Sequence, residues 1–324
     1  MSLGDFFAFS HVCREWRFVS EIRKREYMAA QPPLLCGSLI HLSFYSWKEE
    51  RFYKKEVHQI NIRLLNMGFC HGFLISLHSG PDKKYFGLVN PVTGVEVMAS
   101  FPVLPKCIVT LPLYATLMSP PTSPDCMLLI VAAYFICLCR PGDQEWIIHP
   151  RVYGGGTILG MLFFKGKIYG INNRGHILIY DHVHSKFTFC RARNDLLKYD
   201  QITKFRRRIW LADCGGELFV ILCLNTSNGL EGVKFVVRRF NFTTCKWVSV
   251  KHLGNHVLFL DRWGAAFWDD AANWGDSGNC IYYFSEYIHG DKFHVFHMND
   301  GRVENFSFPE HFCPSSWIFP RLCC

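Results

Sequence analysis

The chain has 324 residues, 49% of them hydrophobic and 19% charged, which excludes intrinsic disorder and allows either about two ordinary domains or one large β domain with a small appendage. Aromatics reach 16%, with 29 Phe, 13 Tyr and 9 Trp beside 25 Gly, a mixture that favours strands joined by tight turns over a helical bundle. The formal charge of +8 is spread along the chain with one dense run at Lys204–Arg208, too mild a bias for a nucleic-acid binder, so no nucleic-acid partner is expected.

The opening MSLGDFFAFSHVCREW lacks a basic n-region and a small-residue cleavage site, so no secretory leader is expected and a nuclear or cytoplasmic location is. Residues 2–28 hold no Pro and one Gly, and Leu3, Phe6, Phe9, Cys13 and Trp16 recur at helical spacing, widened by Phe7 and Val12. This predicts a short helical segment over residues 1–30, with Ser2 as N-cap and Asp5 in the first turn. Pro32-Pro33 ends it, which places a boundary near residue 31.

Beyond that boundary the runs SLIHLSFYS, GFLISLH, YFGLVN, KIYGI, HILIYD, ELFVILCL, KFVVRRFNF, NCIYYFSEY and FHVFHM are β-branched or aromatic and bounded by Gly, Asn, Asp or Pro. The most apolar stretch, Cys126–Cys139, is shorter than the roughly 20 residues a bilayer span needs and reads as buried strand, so no membrane association is expected. Turn-rich sections recur at roughly 40 to 60 residues, the scale of a propeller blade. The expected fold is therefore mainly β: an irregular β-propeller of about six blades over 31–324 behind a short helical segment, with a β-sandwich or open barrel as competitor.

Fifteen Cys are scattered without a C-x-x-C pair and read as reduced thiols filling apolar positions. The pairs His182/His184, Cys137/Cys139 and His294/His297 have no third ligand at a usable spacing, so no metal and no cofactor are expected. Gly154-Gly155-Gly156 is followed by no Lys and is read as a turn, not a phosphate cradle. Asn225, Asn241 and Asn305 head N-x-[ST] triplets, read as turn residues or chance matches. The terminal Cys323-Cys324 is read as coincidence with a prenylation end.

The stretch Leu3–Val19, closing on Val12-Cys13-Arg14-Glu15-Trp16, resembles the second half of an F-box; the first half, which begins near a Leu-Pro pair in that family, has no counterpart after Met1. The resemblance implies that Leu3, Phe6, Phe9, Val12, Cys13 and Trp16 dock a Skp-type adaptor that links to a cullin and RING ubiquitin ligase. The remainder resembles the domain of unknown function 295 that follows F-boxes in plants, a KIB-type, propeller-like family. The matching residues are His71-Gly72-Phe73-Leu74, Asn90–Gly94, Leu253-Gly254 with Leu258–Leu260, Gly278–Tyr283, and Pro314–Pro320 with Trp317. That family usually carries acids after the Ile-Tyr-Phe strand, where this chain has Phe284-Ser285-Glu286.

Together these features imply a non-enzymatic interaction protein, the substrate-recognition subunit of an SCF-type ligase. The alternative is an F-box-deficient module that sequesters or regulates its partner, and the third reading is a propeller hydrolase. The site for an unidentified target protein is expected on the aromatic and acidic loop 262–279, with Trp263, Trp268 and Trp274 as anchors and Asp269 and Asp270 setting charge. A Trp-rich acidic loop also suits a sugar, but adjacent carboxylates point apart in a strand, which counts against a glycosidase pair.

Overall fold

The computed structural model describes residues 3–9, 11–37, 42–55, 63–79, 84–93, 95–97, 101–104, 114–132, 134–153, 156–181, 184, 186–193, 207–225, 233–262, 264, 266–284, 292–308, 312 and 314–323. The strands of the described residues belong to six sheets of four or five strands arranged as the blades of a propeller.

The first blade holds β1 (Leu34–Gly37), β2 (Leu42–Ser46) and β3 (Arg51–Lys55). The second holds β4 (Arg63–Cys70), β5 (Phe73–Ser79), β6 (Lys84–Val89) and β7 (Glu96–Val97). The third holds β8 (Tyr114–Leu117), β9 (Leu128–Val131), β10 (Phe135–Cys139) and β11 (Ile147–Pro150). The fourth holds β12 (Val152–Tyr153), β13 (Gly156–Phe164), β14 (Lys167–Asn172), β15 (Ile177–Asp181) and β16 (Lys186–Cys190). The fifth holds β17 (Arg207–Cys214), β18 (Glu217–Asn225), β19 (Val233–Asn241) and β20 (Lys246–Val250). The sixth holds β21 (His256–Leu260), β22 (Ala266–Asp270), β23 (Cys280–Phe284), β24 (Lys292–His297) and β25 (Val303–Ser307). The last strand, β26 (Pro314–Ile318), returns to β1, setting Leu35 opposite Trp317, so that the first blade is built from both ends of the described chain.

The apolar runs are continuous because both faces of a blade are covered by neighbours. In β18, Leu218, Val220, Leu222 and Leu224 share a cluster with fourth-blade residues, while Phe219, Ile221 and Cys223 share one with the sixth blade; the period of two divides one apolar run between two cores. The stretch Cys126–Cys139 does the same as a hairpin of two strands rather than one, with Ala132 N–H donating to Phe135 O at 2.8 Å across its turn.

Tryptophans tie blade to blade. Trp317 Nε1 donates to Leu260 O at 3.1 Å, Trp210 Nε1 to Asp261 O at 3.1 Å, Trp247 Nε1 to Gly175 O at 2.8 Å, and Trp146 Nε1 to Pro102 O at 3.2 Å. Each N–H buried on folding finds a backbone acceptor in, or on the segment after, the adjoining blade.

The sixth blade departs from a simple meander. Its order is β22-β21-β23-β24-β25, and β21 pairs with β23 in parallel. The crossover is made by a 3₁₀ turn over Ala271–Trp274, capped by Asp270, which accepts from Ala272 N–H at 3.0 Å. It closes at Gly278, with φ +74, where a Cβ would lie 2.5 Å from the Asn255 carbonyl carbon, so only glycine fits.

Ahead of the propeller stand α1 (Leu3–Phe9) and α2 (Arg14–Ala29), where the sequence suggested a single stripe. Among the described residues no helix is long and apolar enough to cross a membrane. Phe6 and Met28 are buried in the core cluster that also holds Leu35, Tyr45 and Trp317, and Phe6 stacks on Tyr27 with ring centroids 4.3 Å apart. The helices are thus seated on the first blade. Ser2 lies outside the described residues.

Candidate functional site

The six adaptor-docking positions divide by face. Phe6 points into the propeller core, and the side chain of Leu3 lies outside the described set. Phe9 folds back across the break between the helices to stack on Trp16, with centroids 4.4 Å apart. Val12, Cys13 and Trp16 are exposed. At 100° per residue the buried side of α2 is Ser20, Tyr27 and Met28; Phe18 and Ile22 face the opposite way with Val19 on the flank, while Trp16 stands one turn before Ser20 on the inner stripe and is exposed because it lies in the first turn, beyond the blade. Exposure reaches 60% at Val12, 44% at Trp16, 68% at Phe18 and 60% at Ile22. Phe18, Val19 and Ile22 add to the apolar surface and had not been singled out from sequence; the signal available was their spacing from one another, i, i+4 for Phe18 and Ile22 and i, i+3 for Val19 and Ile22.

The segment expected to be an anchoring loop contains strand β22, at the inner edge of the sixth blade, and the 3₁₀ turn that follows it. Trp268 is half-buried, stacked on His256 at 4.4 Å and tilted against Phe219 at 5.9 Å. Asp269 is buried and accepts from Asn273 Nδ2 at 3.1 Å. Asp270 is the cap of the 3₁₀ turn, and Asp276 accepts from the Tyr282 hydroxyl. Trp263 and the side chain of Trp274 fall outside the described residues. The described acids of this segment are therefore engaged in holding the crossover.

A groove of about 790 Å³ opens elsewhere, between the fifth and sixth blades. Its floor is Phe235, Val237, Val250 and Phe296, with Met298 beside them. Phe235 packs edge-on against both Phe296 and Tyr283, at 5.1 and 4.9 Å. Lys234 and Lys251 stand on the fifth-blade rim, and Asp300 on the opposite rim faces Arg302 Nε at 4.0 Å. Volume and lining suit a bound side chain or short segment. Sequence reading missed this groove, since its walls come from strands of two separate blades.

The titratable candidates fall into structural roles. Cys137 and Cys139 are both core residues. His294 is buried, with Nδ1 at 2.7 Å from Asn305 Oδ1, and burial holds its pKa below the usual histidine range. His297 lies three residues on and serves a different network: Cys280 Sγ is 3.3 Å from its Nδ1, and Glu304 Oε1 is 2.9 Å from its Nε2. That order of groups is the one a thiol nucleophile uses, but burial pushes the Cys280 thiol up to about 11, so the chain stays protonated and acts as a hydrogen-bond tie across β23, β24 and β25. His184 pairs with Asp181 at 2.7 Å, and His182 lies outside the described residues. Among the described residues no group of three or more His, Cys, Asp or Glu is placed to hold a metal. Gly154 and Gly155 lie outside the described residues, and Gly156 is in β13.

Comparison with known proteins places the chain. The model of the family described as KIB1-4 beta-propeller matches residues 44–306, most of the chain, and the chain belongs to that family. Its propeller is a binding-type domain suited to protein interaction. No curated protein matches the chain. Among solved structures, it is similar to a crystal structure of BBS1N in complex with ARL6DN soaked with mercury, at TM-score 0.41 and 11% identity over 88% of this chain and 77% of that one. The same complex soaked with lead gives TM-score 0.40 and 10% identity over 86% and 76%.

Proposed function

Taking membership of the KIB1-4 beta-propeller family as the premise, we propose that the chain is the target-recognition subunit of an SCF-type ubiquitin ligase, in which the propeller holds a target protein and the outer face of α2 recruits a Skp-type adaptor. The observation that supports this reading is the two-sided character of α2. Its inner side is fixed to the first blade through Tyr27 and Met28, so the apolar outer side is presented on a rigid support instead of being consumed by the core. Contiguous exposed apolar surface on one helix is the usual form of a helix-mediated docking face. The resemblance of Val12–Trp16 to the closing part of an F-box supplies the identity of the adaptor, and the groove between the fifth and sixth blades is a described surface with room to hold a target segment. On this reading the protein works in the nucleus or cytoplasm.

The test is capture of a purified Skp-type adaptor by the full chain, by the chain carrying Val12→Asp, Trp16→Asp and Ile22→Asp together, and by a chain with a first F-box helix placed ahead of Met1. Expected are measurable capture by the native chain, stronger capture by the extended one, and loss in the triple variant while its circular dichroism stays native and its melting temperature falls by no more than the few degrees that loss of the Phe9–Trp16 stack costs. Absence of capture by both native and extended chains would refute the ligase role and leave the sequestering module.

A further inference from the structure

We propose that Cys190 and Cys245 form an interblade dithiol that a hydroperoxide closes to a disulfide, joining the fourth blade to the fifth. Cys190 ends β16, the outermost strand of the fourth blade, and Cys245 sits in the turn between β19 and β20 of the fifth, with φ +52. The Cys190 thiol donates to the Cys245 sulfur across 3.8 Å. The two backbones are already tied there, because Arg193 N–H donates to the Cys245 carbonyl at 2.7 Å. A disulfide needs its sulfurs at about 2.05 Å, a closure within reach of side-chain rotation. Both thiols are half-buried and open to a small oxidant, whereas Cys36, Cys126, Cys137, Cys139, Cys214, Cys223, Cys280 and Cys323 are buried.

The hydrogen bond sets the order of events. Cys190 holds its proton toward Cys245, and burial lifts the Cys190 thiol to about 11, so Cys245 is the sulfur assigned to meet the oxidant. The Cys245 thiolate attacks one oxygen of the hydroperoxide, the O–O bond breaks, and an alcohol (water from hydrogen peroxide) leaves with a proton as Cys245 becomes a sulfenic acid. The Cys190 sulfur then attacks the Cys245 sulfur, gives up its proton, and water leaves. The two thiols lose two electrons and two protons, and these reduce the hydroperoxide to alcohol and water. The bond would pin the turn of the β19–β20 hairpin, whose other end, at Val237 and Val250, walls the groove between the fifth and sixth blades.

The test treats the full chain with a modest excess of hydrogen peroxide, alkylates the remaining thiols, and maps peptides by mass spectrometry without reduction. Expected is a single dominant cross-link between the peptides of Cys190 and Cys245. It should be removed by dithiothreitol, absent from Cys190→Ser and Cys245→Ser, and present in Cys280→Ser, with exposed Cys13 still alkylated. Oxidised wild-type protein should melt at a higher temperature than reduced protein, a readout that does not depend on any variant folding. Cross-links scattered over other thiols, or a folded chain in which Cys245 advances to sulfinic acid with Cys190 free, would overturn the proposal.

Discussion

Closure of the propeller depends on Trp317, and its truncation is a direct test of how the fold is held. The ring is fully buried and packs against Phe259, Phe284 and Phe293, with centroids 5.0, 5.1 and 5.6 Å away, while its N–H donates to Leu260 O at 3.1 Å. Trp317→Ala removes the whole ring from a site lined by side chains of the first and sixth blades, and a cost of about 3 to 5 kcal/mol is expected. Trp317→Phe keeps most of the packing and deletes the donor, so the expected cost is about 1 to 3 kcal/mol, the price of a buried carbonyl losing its partner plus a small void. Urea unfolding read by tryptophan fluorescence and circular dichroism separates them through the midpoint, with an unchanged slope showing that the unfolded state is not what moved. Trp16→Ala is the control: its ring is exposed and stacks on Phe9, so about 0.5 to 1.5 kcal/mol is expected. If Trp317→Ala costs no more than Trp16→Ala, β26 is not the strand that closes the ring.

Two further outcomes follow from the same packing. His294 is buried neutral with a lowered pKa, so between that value and the unfolded value of 6.5 the unfolded chain binds a proton that the native one does not. Stability should therefore fall as pH drops below about 6.5 and level off below the folded pKa; His294→Gln should flatten that slope in urea titrations, and an unchanged slope would assign it to other groups, His71, His78 and His149 being shifted the same way by burial. Trp268→Ala, stripping the stack on His256 and the contact with Phe219, should cost about 2 to 4 kcal/mol in the same assay; a neutral result would return Trp268 to the role of a partner anchor.

Much of the propeller is legible in the sequence because each blade repeats the same chemistry. Runs such as LFVILCL, Leu218–Leu224, are apolar at every position only if both faces are covered, and turn residues recur at blade spacing. The sixth blade resisted this reading for a specific reason. Gly264 and the Gly275–Gly278 segment punctuate Ala266–Asp270 as they would a loop, and nothing local announces that the short run AFWDD pairs inward on β21 while the chain crosses over to β23 in parallel. The acids that looked like a charged binding rim are consumed by that crossover, Asp270 as cap and Asp269 on Asn273. The groove was invisible for the opposite reason: Val233, Phe235 and Val237 alternate as any half-buried strand does, and only the ring geometry brings Phe296 and Met298 opposite them.

The ring also fixes the two candidate surfaces relative to each other. The helices are seated on the first blade, whose closing strand bonds to the sixth through Trp317 and Leu260, and the groove lies on the far side of that sixth blade, against the fifth. One blade therefore separates the outer face of α2 from the groove. The sixth blade is packed on both faces: Phe259, Tyr282 and Phe293 pack toward the first blade, while Leu258, Ile281 and Phe296, their neighbours on the same strands, pack toward the fifth. A close-packed interior transmits displacement instead of absorbing it. A target in the groove and an adaptor on α2 would accordingly be held at a set distance and angle, and for a ligase subunit that geometry decides which target surface faces the ubiquitin-charged enzyme. Under the proposed ligase role, the sixth blade, with its crossover and buried acids, would be the spacer between the two proposed faces.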